Sequence, residues 1–92
     1  MSSLLKDAFA GLPVTHERWV ITRVLSVEPD GKPVVELEQL RGLGIGWEVL
    51  PKRRIGPKGV EGLKGKEVIF NVQTNAVGTK LKEMVSVRKP RA

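Results

Sequence analysis

The densest run of chemistry-bearing side chains is Lys52-Arg53-Arg54, followed by Lys58, Lys64 and Lys66. Glu61 is the only acid among them, and Gly56, Gly59, Gly62 and Gly65 punctuate the same stretch. Phosphate binding uses this combination, because cations supply charge and glycines let backbone N–H groups come close. Arg53 and Arg54 suit a bidentate grip on phosphate, whereas the lysines act as point charges. The plainer reading is a solvated loop whose lysines keep the protein in solution. A second basic group, Arg88, Lys89 and Arg91, ends the chain, with Lys80 and Lys82 close by in sequence. Such tails either order on nucleic acid or remain solvated.

Residues suited to catalysis are few. Cysteine is absent, which removes disulfides, thiolate zinc sites and a cysteine nucleophile. His16 is the only histidine and sits between Thr15 and Glu17, far from a convergent set of carboxylates that a metal would need. Glu36 and Glu38 fall on one face of an extended segment, as solvent-facing residues do. The alternating glycines of Arg41-Gly42-Leu43-Gly44-Ile45-Gly46 are not a nucleotide fingerprint, since no Gly-Lys-Ser/Thr follows them and no crossover helix is available. A bulge or tight corner explains them better. No catalytic residue, metal ligand or cofactor is expected, and the protein reads as a non-enzyme.

Base stacking needs exposed aromatic rings, and the chain has only Phe9, Trp19, Trp47 and Phe70. Phe70 shares a face with Val68 and Val72 and reads as core. Trp19 also reads as core, although an outward face of Trp19, Ile21, Arg23 and Leu25 would make a platform. Trp47 fits either role. It lies at the edge of the glycine run, five residues before the cations.

The elements that must position these groups read as strands. Arg18 to Val27 is rich in β-branched residues and free of Gly and Pro. Glu28-Pro29-Asp30-Gly31-Lys32 supplies a turn, and Val34 to Leu40 completes a hairpin. A short strand, Trp47 to Leu50, stops at Pro51. A long loop then runs to Gly65, with at most one helical turn. Lys66 to Gln73 and Lys80 to Val87 are two further strands, joined by a turn at Thr74 to Thr79. Before them, Ser2 and Ser3 can cap a short helix through Ala10 that ends at Gly11. Five short strands leave exposed edges unless the sheet closes. The expected fold is therefore mostly β, a small five-stranded antiparallel barrel of OB-like or SH3-like type with a short N-terminal helix. Ninety-two residues fit one domain over 1–92, with a helical segment at 1–15, the barrel at 16–88 and a basic tail at 89–92.

Charge is uneven along the chain. Residues 1–46 carry five cations and six acids, a net of −1, whereas 47–92 carry eleven cations and four acids, a net of +7. That asymmetry points to a polyanionic partner. No segment reaches the roughly eighteen apolar residues needed to cross a bilayer, and Met1 to Gly11 lacks the layout of a secretory signal. A cytoplasmic, soluble protein is expected. Few Gln, Asn and Cys beside abundant Val, Lys, Arg and Glu hint at a thermophile.

In size, charge and strand pattern the chain resembles the small basic barrels of ribosomes and archaeal chromatin. Gly62 to Val68 resembles a turn of SH3-like translation proteins. Two functions follow as expectations. In the first, the 52–66 loop, Trp47 and the C-terminal cations bind RNA or DNA through phosphates with little sequence preference, alone or in a ribonucleoprotein, replication or transcription complex. In the second, the domain is an adaptor or accessory subunit that docks on an acidic protein face through an apolar patch such as Leu4, Leu5, Phe9 and Leu43.

Overall fold

The β-branched run that starts at Thr15 forms the longest strand of the protein, and its two halves serve different neighbours. This computed structural model describes residues 9–89. β1 (Thr15–Val27) pairs antiparallel with β4 (Glu67–Thr74) along Thr15–Val20, and with β2 (Pro33–Gln39) from Trp19 to Val27. β3 (Ile45–Val49) flanks β2, and β5 (Lys80–Arg88) flanks β4. The result is one antiparallel sheet of order β3-β2-β1-β4-β5.

The β1–β2 turn forms as its sequence dictates. Gly31 takes φ of 91° and donates its N–H to the Glu28 carbonyl at 2.8 Å, while Asp30 Oδ1 accepts from Lys32 N–H at 3.1 Å. Glycine tolerates that positive φ without the steric penalty that a Cβ brings.

One face of the sheet carries the core. Trp19 and Ile21 from β1, Val35 and Leu37 from β2, and Val68, Phe70 and Val72 from β4 are all buried there. Leu50 and Leu63, from the two ends of the β3–β4 connection, complete it and are fully enclosed. At roughly 1.5–3 kcal/mol for each large apolar side chain, these two leucines contribute as much as residues within strands. On β5 the register shifts at Val85, so Met84 and Val87 reach the core although they are three residues apart. Shifts at Thr22 and Leu25 act likewise on β1. Arg23 meets Glu36 on the outer face while Val24 turns to the core.

The sheet does not close into the expected OB-like or SH3-like barrel: β3 and β5 are its two edges. Closure was expected because a flat sheet of this size cannot cover itself. Here the connection covers the core face with Leu50 and Leu63, so β3 and β5 need not pair. β3, with five residues, is also short for a seam strand. The expected N-terminal helix is not among the described elements. Its residues 1–8 lie outside the described residues, and Phe9 to Leu12 close a single turn, Leu12 N–H to Phe9 O, 3.1 Å. Gln73 Nε2 donates to the carbonyls of Phe9 and Leu12 at 2.9 and 3.0 Å, and Phe9 is buried. No helix among the described residues is long and apolar enough to cross a membrane.

Candidate nucleic-acid interface

Glycine and proline prevent Pro51 to Lys66 from forming a regular element, yet the connection is not slack. Pro51 is extended, and a 3-10 turn follows at Lys52–Arg54; a second lies at Val60–Gly62. Turn hydrogen bonds link Gly59 to Gly56 and Lys66 to Leu63. Both ends are pinned to strands: Leu50 N–H donates to Pro33 O at 3.0 Å, and Gly65 N–H to Ile21 O at 2.8 Å. A chain of tight turns therefore holds the six cations in a defined array at lower entropic cost than a free loop would.

Lys52, Arg53, Lys58 and Lys64 are exposed, whereas Arg54 and Lys66 are half-buried. None of the six forms an ion pair among the described residues. Lys52 lies over the β1–β2 turn, so that a Cβ at Gly31 would sit 3.1 Å from its Cε. Arg54 is packed inward along its stem, with Nε buried and lacking a hydrogen-bond partner among the described residues. Its guanidinium is thus less free than that of Arg53. Lys66 leans back toward Gly56.

Lys80 and Lys82 have a different setting. Both face Glu17, at 3.8 and 3.2 Å, and Lys82 Nζ lies 5.0 Å from the centre of the Trp19 ring. Trp19 Nε1 donates to Glu17 at 3.1 Å. Burial pushes the Glu17 carboxyl up, but hydrogen bonds from Lys82 and Trp19 and the charges of Lys82 and Lys80 outweigh it and hold it below its ordinary range. Glu48, also on the core face, lies higher than usual because burial outweighs the attraction of Lys82.

The other acids with partners are likewise matched outside the connection. Arg18 Nη2 donates to both oxygens of buried Glu67 at 2.8 and 2.9 Å. Arg23 and Thr22 hold Glu36, and Lys32 holds Asp30. Hydrogen bonds from Arg23 and then Thr22 keep the Glu36 carboxyl below its ordinary value. The internal ion pairs thus leave the cations of the connection without a salt bridge among the described residues, although Lys52 also acts on Asp30 of the β1–β2 turn. Arg88 and Lys89 are exposed at the end of β5, and Arg91 lies outside the described residues.

Comparison with protein families, curated proteins and solved structures finds no match.

The two tryptophans part company. Trp19 is buried in the core, whereas Trp47 is 67% exposed on the outer face of edge strand β3. The glycine run explains this division. A Cβ at Gly44 would lie 2.9 Å from Trp19 Cη2 and 2.7 Å from Gln39 Oε1, and one at Gly46 would lie 3.9 Å from Trp19 Cζ3. The alternating glycines are the bed on which Trp19 lies. That role was missed in sequence, although glycines two apart on one strand face are a signal of close approach.

Two shallow pockets remain. One, about 330 Å³, is bordered by His16, Glu17, Arg18, Gln39 and Arg41; the other, about 280 Å³, lies among Val14, Asn71, Gln73 and Leu81. No group of three or more His, Asp or Glu side chains that could hold a metal occurs among the described residues.

Proposed function

We propose that this protein binds nucleic acid without catalysing a reaction, contacting phosphates through the cations of the 52–66 connection and of the C-terminal tail. One observation carries the reading. The ion pairs within the fold engage cations elsewhere, while the cations of the connection sit on a pinned series of turns with no salt bridge among the described residues. Contacts of this kind address the backbone that every sequence shares, so little sequence preference is expected. Lys52, Arg53, Lys58 and Lys64 are the main contacts, Arg54 and Lys66 supporting ones. Arg88, Lys89 and Arg91 extend the path.

The adaptor reading has one observation in its favour, the full exposure of Leu43. Phe9, another member of that patch, is buried, and Leu4 and Leu5 lie outside the described residues.

Fluorescence anisotropy with labelled RNA and DNA at several salt concentrations tests the proposal. Some six phosphate contacts would lower affinity by about a thousandfold between 50 and 200 mM salt. Changing Lys52, Arg53 and Lys58 together to Ala should reduce the slope of log K against log salt by about 2.1 on single strands and about 2.7 on duplex DNA. Absence of binding to every polymer at low salt would remove the proposal.

A further inference from the structure

β3 has two unlike faces. Its core face presents Gly46 and Glu48, with Gly44 just before it, and its outer face presents Ile45, Trp47 and Val49. Ile45 is 72% exposed and Leu43, just before the strand, is fully exposed. A tryptophan that gives up two thirds of its surface to water contributes little to the core. Removing such surface from water on binding is worth roughly 25 cal/mol per Å².

Cations flank, in sequence, the strand that carries this ring. β3 runs toward Lys52 and Arg53 at one end, and exposed Arg41 precedes it at the other. Across the ladder, Trp47 pairs with Glu36, whose carboxylate is engaged by Arg23 at 3.2 Å and Thr22 at 2.8 Å. The acid nearest the ring in the ladder is therefore neutralised in place. Exposed Glu38, opposite Ile45, has no ion pair among the described residues, which directs phosphates to the two ends of the strand. A second copy of this chain fits less well. Antiparallel pairing of β3 with itself about Trp47 would bring Arg41 of one copy toward Arg53 of the other, like charge against like charge.

We infer that the nucleic acid taken by this surface is single-stranded, running along β3 with a base stacked on Trp47 and phosphates held by Arg41 at one end and Lys52 and Arg53 at the other. This rests on the phosphate-binding reading above and specifies its polymer. In a duplex the faces of the bases are already stacked on one another, so a ring standing on a sheet can reach only an unpaired base. Stacking of this kind tolerates any base, because each has a π face.

The test compares labelled oligo-dT and oligo-rU with blunt duplexes of the same length, read by anisotropy and by tryptophan emission, for the wild type, Trp47→Ala and Trp47→Phe. Trp47 supports no core residue, so circular dichroism should show all three folded. Single strands are expected to bind more tightly than duplex and to quench the exposed tryptophan. Trp47→Ala should lower single-strand affinity roughly 5- to 150-fold with the salt slope unchanged, and Trp47→Phe should recover part of the loss. Equal affinity for duplex and single strand, unquenched emission, or single-strand affinity indifferent to Trp47→Ala would overturn the inference while leaving phosphate binding intact. Absence of all binding would remove both. Sedimentation showing a dimer that Trp47→Ala dissolves would also overturn it, assigning β3 to a second copy.

Discussion

Two groups of basic side chains have different settings in this fold. Lys80 and Lys82 sit on an edge strand and share the carboxylate of Glu17, which offsets one of their two charges; both stay about half exposed, and Lys82 covers the Trp19 ring. Lys52, Arg53, Lys58 and Lys64 sit on the connection, exposed and without ion pairs among the described residues. The first group shares an acid of the fold, and the second has no ion pair among the described residues. A count of cations along a chain cannot tell these apart. The position of each acid in the folded register decides which cations are already engaged.

Perturbing the Trp19 cluster separates the two roles, and the largest effect is expected at the glycine bed beneath it. Gly44→Ala would drive a methyl group into Trp19 and Gln39, both within 3 Å. A loss of about 1–3 kcal/mol is expected in chemical denaturation, with nucleic-acid affinity of the folded protein unchanged. A variant as stable as the wild type would show that the ring is not seated as described.

Glu17→Gln comes next. It leaves an acceptor for Trp19 but removes the charge that holds Lys80 and Lys82, both of which are about half exposed. Screening limits the expected loss to about 1 kcal/mol at neutral pH. Because the folded carboxyl lies below the ordinary value of 4.5, its contribution is present above that pH and is lost as pH falls through the folded value. Denaturation curves of wild type and variant should therefore converge in acid. A gap that stayed constant to low pH would assign the effect to packing.

Glu48→Gln should have the smallest effect and the opposite sign. Burial raises this carboxyl, so ionisation at neutral pH costs stability that protonation would restore. The variant should be more stable than the wild type by some tenths of a kcal/mol near pH 7. The advantage should shrink as pH falls toward 4.5, the ordinary value. A loss of stability at neutral pH would mean that its attraction to Lys82 outweighs burial.

Much of the backbone was legible in the sequence because its signals are local. Val68, Phe70 and Val72 alternate on one face, and Pro29-Asp30-Gly31 dictates its turn. All five strands lie where the β-branched runs put them, with ends shifted by a few residues; β3 starts at Ile45, inside the glycine run. The closed barrel was not legible as an error, since whether edges pair depends on what else covers the core. Leu50, read as the end of a strand, and Leu63, read as a loop residue, supply that cover. Bulges at Thr22, Leu25 and Val85 also escape strict alternation, and so does the turn of Val24 to the core. In the candidate interface the cations of the connection were visible as a run. The engagement of Lys80 and Lys82 was not, because Glu17 is more than sixty residues away in sequence and meets them through β4.

The contrast between the two cation groups is tested most directly by removing the same charge from each. Lys52→Gln/Arg53→Gln and Lys80→Gln/Lys82→Gln each lose two positive charges, and both would be titrated with one labelled oligonucleotide across a salt series. The connection variant is expected to lower the slope of log K against log salt by about 1.4–1.8 at unchanged melting temperature. The strand variant should lose less slope than the connection variant and melt earlier. Equal loss of slope in the two variants, or loss in the strand variant alone, would contradict the assignment of binding to the connection.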